Sequence, residues 1–180
     1  SFDITDALKP GDNEVVVKVW DPTDAGAQPR GKQQMKPEGI WYTPVTGIWQ
    51  TVWLEPVEKA VHITGLKFDT NHEKNQVSVQ VEVTVPGATV HTQIEFLDGD
   101  RVVAESKGNG TGHVVTIENP KRWSPDSPHL YEVLIELFDG KGKSIDKVKS
   151  YAAMREFGKA RDAKGNLRFT LNGKPIFHWG

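Results

Sequence analysis

The 180-residue chain contains no cysteine, so neither a disulfide framework nor thiolate chemistry is available to it. Its charges nearly balance at a net charge of −2, which gives no sign of a nucleic-acid partner or an anionic membrane surface. No apolar run approaches the length of a membrane-spanning helix, and no signal peptide is recognisable. The lack of cysteine leaves the compartment open, and we favour the periplasm or the extracellular space over the cytoplasm.

Helical periodicity is also missing, and the two-residue alternation of β-strands takes its place. The clearest example runs from Val77 to Val85, where five valines alternate with polar residues. Turn residues separate this run from further short strands, predicted at 61–68, 90–96, 102–106, 113–118, 131–138 and 144–153. About seven short strands of this kind predict an all-β fold, an immunoglobulin-like antiparallel β-sandwich.

A second conspicuous stretch is rich in tryptophan, because Trp41, Trp49 and Trp53 are three of the six in the chain. From Ile48 to Leu54, large apolar side chains alternate on both faces. This pattern predicts a strand that is buried on both sides or faces a neighbouring domain. We therefore expect Trp49 and Trp53 to be core residues or residues at a domain seam.

Another strand is predicted earlier in the chain, where Val15, Val17 and Val19 alternate with their neighbours. Residues 21–24 should end this strand, because proline lacks an amide donor and aspartate favours turns. Residues 25–38 then form a polar segment with several glycines and prolines and no periodicity. A loop of this length is expected to be functional or mobile.

Three stretches of the chain carry a resemblance to a known family. The first is Gly47-Ile48-Trp49 followed by Val52-Trp53-Leu54, the second is the run Trp-Ser-Pro-Asp-Ser-Pro-His-Leu-Tyr at 123–131, and the third is Phe-Thr-Leu-Asn-Gly-Lys-Pro-Ile-Phe at 169–177. In this order they resemble three features of the family 2 glycoside hydrolases, the β-galactosidase group. These features are the closing strand of the sugar-binding domain, the W-S-P-x-x-P-x-L-Y signature of the immunoglobulin-like second domain, and the lead-in to the catalytic barrel.

The resemblance implies three segments. Residues 1–56 correspond to the C-terminal part of a sugar-binding jelly-roll domain, and residues 57–158 to the immunoglobulin-like β-sandwich domain. Residues 159–180 correspond to a linker and the start of a (β/α)8 catalytic barrel, entered through a hairpin that turns at Asn172-Gly173 and continues through His178 and Trp179. Because the chain starts in mid-domain and stops at the first barrel strand, we expect it to be an excised fragment.

By the same resemblance, the parent protein hydrolyses terminal β-glycosides with retention, and the sandwich is a structural domain that supports the barrel. The two catalytic glutamates of the family lie on the barrel, so neither a catalytic residue nor hydrolase activity is expected in this chain. The implied partners are a carbohydrate substrate and the protein's own barrel, with no cofactor, metal, nucleic acid or membrane. Galactosides, glucuronides and mannosides all remain open as substrates, and so does the oligomeric state.

Two residues are candidates for contacting the sugar, Asp24 and Trp41. In β-galactosidases an acidic residue projects towards the active site just past the strand that corresponds to the one predicted here at residues 15–19. Asp24 matches the position of that acidic residue better than Asp21 does. For either aspartate, the alternative is a loop residue that stabilises its own turn. Trp41 and Tyr42 offer aromatic faces on which a pyranose could stack, and the alternative is that they pack under the loop at the domain edge.

Other residues are expected to be structural. Trp123 is predicted to be buried against the valine face, fixed by Pro125 and Pro128, and Arg155 resembles an arginine that would form a hydrogen-bonding clamp to the barrel. The six histidines show no spacing typical of metal ligands. Several acidic residues stand beside glycine, serine or alanine and are interpreted as turn formers, namely Asp98, Asp100, Asp126, Asp139 and Asp162.

A second hypothesis is a stand-alone module, a β-sandwich that binds carbohydrate or protein and has no hydrolase activity. Such a module would need a continuous aromatic platform on one face of a sheet. The outward positions of the predicted sandwich strands are polar instead. Together with the three ordered stretches, this polarity favours the glycoside hydrolase fragment.

Overall fold

A computed structural model describes residues 2–177 of the chain. The chain divides into two compact units, Ser1–Glu55 and Pro56–Gly180. All ten strands found in the described residues belong to the second unit. The described part of the first unit contains a single 3₁₀ turn, Thr5–Ala7. No helix within residues 2–177 is long and apolar enough to cross a membrane.

Seven strands of the second unit form an antiparallel sandwich. In chain order they are β1 (Ile63–Asn71), β2 (Gln76–Val83), β3 (Val90–Asp98), β4 (Arg101–Asn109), β5 (Gly112–Thr116), β6 (Tyr131–Asp139) and β7 (Ser144–Ala152). One sheet has three strands in the order β1-β2-β5, and the other has four in the order β4-β3-β6-β7. The all-β antiparallel sandwich predicted from the alternation is confirmed.

The strand count matches the constant-type immunoglobulin fold, but the position of one strand differs. In the constant-type arrangement the fourth strand lies in the same sheet as the first, second and fifth. Here β4 pairs with β3 along its length, from His91 opposite Asn109 to Asp98 opposite Arg101. The short connection at Gly99, which has a φ of 62°, makes this pairing a tight hairpin, as the sequence predicted.

The core lies between the two sheets and follows the two-residue period. Within the predicted run of five valines, Val77, Val79 and Val81 are at most 2% exposed. Val83 is half-buried, and Val85 is 46% exposed because β2 ends at Val83. The three buried valines share one apolar cluster with residues of β3 and β6, chiefly Ile94, Phe96, Val133, Ile135 and Leu137. The valine pattern therefore identified the core face, although it ran past the end of the strand.

A third, smaller antiparallel sheet follows the sandwich. It consists of β8 (Phe157–Arg161), β9 (Leu167–Leu171) and β10 (Lys174–Pro175), in the order β10-β9-β8. The linker predicted from residue 159 thus begins within strand β8, because backbone pairing with β9 does not require an apolar face. The predicted hairpin turn is present, with positive φ angles of 51° at Asn172 and 77° at Gly173. Its predicted continuation through His178 and Trp179 lies outside the described residues.

The two strands predicted in the first unit are absent. Residues 14–20 and 48–54 form no strand, and the isolated bridge between Gln33 and Tyr42 is the β-pairing found in the described part of this unit. Trp49 is 87% exposed and Trp53 is 71% exposed, so the prediction that they are core residues is wrong for this structure, whereas a position at a domain seam stays a prediction. The physical reason is that alternation defines the two faces of an extended segment but does not supply a strand to pair with.

The buried cluster generates a first prediction. Replacing Ile94, which is fully buried on β3, with alanine should lower the free energy of unfolding by about 2–5 kcal/mol, because a cavity forms in a close-packed core. Urea unfolding of the chain measures this loss. As a control, Glu105→Ala on the neighbouring strand β4 removes an exposed side chain and should change stability by less than about 0.5 kcal/mol. Equal effects of the two substitutions would contradict the assignment of the core.

Candidate functional site

The turn that follows the first valine run is built around Asp21. Its Oδ1 accepts a hydrogen bond from the backbone N–H of Thr23 at 2.7 Å, and its Oδ2 accepts one from the Thr46 hydroxyl at 3.5 Å. Thr23 is buried and has a positive φ of 56°, a conformation that β-branched residues rarely adopt. The side chain of Gln28 donates to the Thr23 carbonyl at 2.8 Å and so holds the turn closed.

The polar loop of residues 25–38 is tied to the aromatic stretch that follows it. The backbone N–H of Tyr42 donates to the carbonyl of Lys32 at 2.7 Å, and the N–H of Gln34 donates to the carbonyl of Tyr42 at 3.1 Å. The side-chain oxygen of Gln33 accepts a hydrogen bond from the N–H of Val45 at 2.7 Å. Gln33 therefore anchors this loop to the stretch that follows it.

Arg30 connects the two residues predicted to contact sugar. Its Nη1 lies 3.5 Å from the backbone carbonyl oxygen of Asp24, and its guanidinium carbon lies 5.9 Å from the centroid of the Trp41 ring. Asp24 is half-buried, and its carboxylate has no hydrogen-bond partner within residues 2–177. Trp41 is 37% exposed. Arg30 thus lies near both the Asp24 backbone and the Trp41 ring.

The remaining acidic residues form no such arrangement. Asp139 accepts hydrogen bonds from the backbone N–H groups of Lys141 and Lys143, and that of Lys143 is the main cause that lowers its pKa. At Asp162, a hydrogen bond from the N–H of Asn166 is the main cause that lowers the pKa to about 2. These contacts fit the interpretation of both residues as turn formers. Within residues 2–177, no group of three or more His, Cys, Asp or Glu side chains is placed to hold a metal ion.

At the junction of the sandwich and the third sheet, Trp123 and Arg155 stack on each other. The guanidinium of Arg155 lies 4.6 Å from the centroid of the Trp123 ring and 5.1 Å from that of Phe157. Trp123 is half-buried and takes no part in the valine cluster, so the prediction that it packs against the valine face is wrong. Its backbone N–H donates to the carbonyl of Met154 at 3.1 Å, and the Arg155 guanidinium lies between its ring and that of Phe157 on the third sheet.

Asn172 is a junction residue whose role the sequence did not reveal beyond its hairpin turn. Its side-chain N–H donates to the Trp123 carbonyl at 2.9 Å, and its side-chain oxygen accepts from the N–H of Glu156 at 3.0 Å. The Asn-Gly pattern predicted the turn but gave no sign of these contacts, which depend on the tertiary packing. The junction is therefore fixed by side-chain to backbone hydrogen bonds as well as by stacking.

The stretch that folds as this sandwich matches a family model described as glycosyl hydrolases family 2, over residues 60–155. That match covers more than half of the chain and includes all seven sandwich strands. The chain belongs to glycosyl hydrolase family 2. The resemblance read from the three sequence stretches is thereby confirmed.

Curated relatives of this family 2 chain extend well beyond it. A protein of Formosa agariphila that carries the name β-glucuronidase is 30% identical over 186 residues, which cover 98% of this chain and 21% of that protein. A β-galactosidase of Kluyveromyces lactis is 25% identical over 209 residues, which cover 99% of this chain and 19% of that protein. The chain therefore spans about a fifth of the length of the curated relatives it matches.

Among solved structures, the family 2 chain is similar to a β-glucuronidase from Ruminococcus gnavus in complex with D-glucuronic acid. The similarity has a TM-score of 0.51 at 20% identity and covers 66% of this chain and 19% of that one. At this level of identity the likeness concerns the fold. It supports the sandwich architecture independently of the sequence matches.

His113, on β5, links the two sheets of the family 2 sandwich. Its Nε2 contacts the Thr92 hydroxyl on β3, and its Nδ1 lies 2.9 Å from the Ser106 hydroxyl on β4. Because the Thr92 hydroxyl donates its proton to the Gly110 carbonyl at 2.8 Å, it accepts from Nε2–H, and Nδ1 then accepts from Ser106. The neutral ring suits this network, and burial lowers the pKa of His113. With Thr92 fully buried, we interpret the network as a structural link between the sheets.

The network predicts a dependence of stability on pH. Above the ordinary histidine pKa of 6.5, the ring is neutral in both the folded and the unfolded chain, and the network contributes fully. Below 6.5 the unfolded chain takes up a proton that the folded chain resists, so the free energy of unfolding should fall until the pH reaches the lower folded pKa. Urea unfolding at several pH values measures this slope. His113→Gln, which does not titrate, should show a shallower slope, and equal slopes would contradict the assignment.

Proposed function

We propose that this chain is a non-catalytic segment of a retaining glycoside hydrolase that acts on terminal β-glycosides. The observation that carries the proposal is the extent of the similarity, because relatives match nearly the whole chain but the chain spans about a fifth of their length. Those relatives carry the names β-glucuronidase and β-galactosidase. We therefore propose the class of terminal β-glycosides and leave the glycone sugar open.

The acidic residues support a non-catalytic role for this chain. Retaining glycosidases use two carboxyl groups about 5–5.5 Å apart, and the proton donor of the pair needs a raised pKa. Within residues 2–177, the pKa is shifted for four carboxyl groups and is lowered in each of them, namely Asp98, Glu136, Asp139 and Asp162. Lowered pKa values suit ionised structural groups, so we propose that both catalytic carboxyl groups lie in the part of the protein outside this chain.

The third sheet carries the exposed apolar surface that we propose to contact the catalytic barrel. Phe157, Leu167 and Phe169 are 66%, 61% and 57% exposed on its strands. Exposed apolar side chains on a short sheet are typical of a surface that contacts another part of the protein. We propose that the sandwich presents this sheet to the barrel, and that the stacked Trp123 and Arg155 hold it in a fixed orientation.

Asp24 and Trp41 are the residues that we propose to contact the sugar. A carboxylate without an internal partner is able to accept hydrogen bonds from sugar hydroxyls, and the face of an indole ring is able to stack on the C–H groups of a pyranose. Asp21 is less suited, because both of its carboxylate oxygens already accept hydrogen bonds from Thr23 and Thr46. Contacts of this kind orient the substrate and do not break the glycosidic bond.

The proposal predicts where the activity resides. The full-length protein should release the chromophore from an aryl β-glycoside with retention at the anomeric carbon, which NMR of the initial product detects. The 180-residue chain alone should release none, because the proton donor and the nucleophile are both outside it. Turnover by the chain that persists after repurification would refute its non-catalytic role. A full-length protein inactive on every aryl β-glycoside would refute the hydrolase assignment.

The proposed sugar contact is tested by comparing the two aspartates in the full-length protein. A hydrogen bond to a charged group contributes about 1.5–3 kcal/mol, so Asp24→Ala should lower kcat/KM by about ten- to a hundredfold while the melting temperature stays unchanged. Asp21→Ala should instead lower the melting temperature, because it removes the hydrogen bond that forms the turn. If Asp24→Ala leaves kcat/KM unaltered, Asp24 is a turn residue. If it lowers both quantities, its role is structural.

A further inference from the structure

Four aspartate or asparagine residues in the chain are followed directly by glycine. They are Asp98, Asn109, Asp139 and Asn172. In such pairs the glycine has no side chain to shield its backbone nitrogen, which is then able to attack the neighbouring side-chain carbonyl carbon. Attack requires that the side chain be free to rotate towards that nitrogen. The contacts of each side chain therefore decide which pair reacts.

Three of the four side chains are held. Asp98 forms an ion pair with Lys121 at 2.6 Å, and its Oδ1 lies 3.5 Å from Nε2 of His129. Asp139 accepts hydrogen bonds from two backbone N–H groups in its turn, at 2.8 and 2.9 Å. Asn172 is held at both ends of its amide, by the Trp123 carbonyl at 2.9 Å and the Glu156 N–H at 3.0 Å. Each must break these contacts before it rotates.

Asn109 differs from the other three. It is the last residue of β4, it is exposed, and its side-chain amide has no hydrogen-bond partner within residues 2–177. Gly110 follows with a φ of 83° in the short connection that leads from β4 to β5 in the other sheet. The Gly110 N–H donates to the carbonyl of Val90 at 2.8 Å, so one hydrogen bond at the end of the strand ladder must open before the nitrogen reacts. Strand ends are the places where such bonds open most readily.

We propose that Asn109 is a site of spontaneous deamidation. The backbone nitrogen of Gly110 gives up its proton to solvent and forms a bond to Cγ of Asn109, the Cγ–Nδ2 bond breaks, and the leaving nitrogen takes up a proton and departs as ammonia. Water then adds to either carbonyl of the resulting succinimide and opens the ring. The products are aspartate or a β-aspartyl linkage, and no oxidant, reductant or enzyme is required.

The β-aspartyl product would reach the link between the two sheets. It inserts an extra methylene group into the backbone directly before Gly110. The Gly110 carbonyl accepts the hydrogen bond from the Thr92 hydroxyl. With its proton directed to Gly110, the Thr92 oxygen accepts from Nε2–H of His113. Moving this carbonyl disturbs the network of Thr92 and His113, so the modification should weaken the sandwich although Asn109 itself is exposed. The simple aspartate product keeps the normal backbone and should not have this effect.

The first test incubates the full-length protein in mildly alkaline buffer and measures β-aspartyl content by peptide mapping. Asn172 is the internal control, because it has the same following residue and two side-chain hydrogen bonds. Breaking two such bonds should make Asn172 react roughly tenfold or more slowly than Asn109 in the folded protein. In concentrated urea the two rates should become similar. Equal rates in the folded protein, or a difference that persists in urea, would overturn the proposal.

The second test uses variants of the same position. Asn109→Gln should abolish the β-aspartyl signal from this peptide, because glutamine would have to close a larger ring. Asn109→Asp reproduces the simple product and should melt at the wild-type temperature, whereas wild-type protein enriched in the β-aspartyl form should melt at a lower one. If the enriched protein melts at the wild-type temperature, the proposed effect on Thr92 and His113 is wrong.

Discussion

Close packing of alternate side chains between two antiparallel sheets is the constraint on which the sandwich depends. The chain has no cysteine, so no covalent link between the sheets assists the packing. Val77 and Val79 on one sheet and Ile94 and Leu137 on the other are almost completely excluded from water. Since a slip of one residue would turn each of these side chains outward, burial also fixes the register of every strand pair. The positions of the hairpin turns follow from that register.

Charges on the outer faces complement this packing. On the four-stranded sheet, Lys147 pairs with Glu136 at 3.0 Å and Lys149 pairs with Glu132 at 2.5 Å, across β6 and β7. Exposed ion pairs of this kind contribute little to stability. Their position matters more, because β7 is an edge strand and lysines on an edge disfavour pairing with strands of other molecules. The same sheet is therefore apolar inside for stability and charged outside for solubility.

The sequence predicted the sandwich well because its strands pair with one another inside the chain. Alternation located the buried valines, and Asn172-Gly173 located a turn. The same alternation failed at Trp49 and Trp53, because a periodic pattern does not say whether a pairing strand exists. Trp123 shows a related limit, since it is predicted to pack against the valine face but is half-buried beside Arg155 instead. Contacts that connect distant residues, such as Gln33 with Val45, have no local sequence signal.

The carboxylates support the proposal that this chain does not itself supply the chemistry of its glycoside hydrolase family. Asp139 and Asp162 accept backbone hydrogen bonds, and each such bond favours the ionised form and lowers the pKa. A glycosidase proton donor needs the opposite shift, so residues committed to turns in this way are poorly suited to that role. Asp24 stands apart from them, because it is half-buried and its carboxylate has no internal partner in the described part of the chain. A half-buried acceptor that the described fold does not use supports the proposal that Asp24 contacts the sugar.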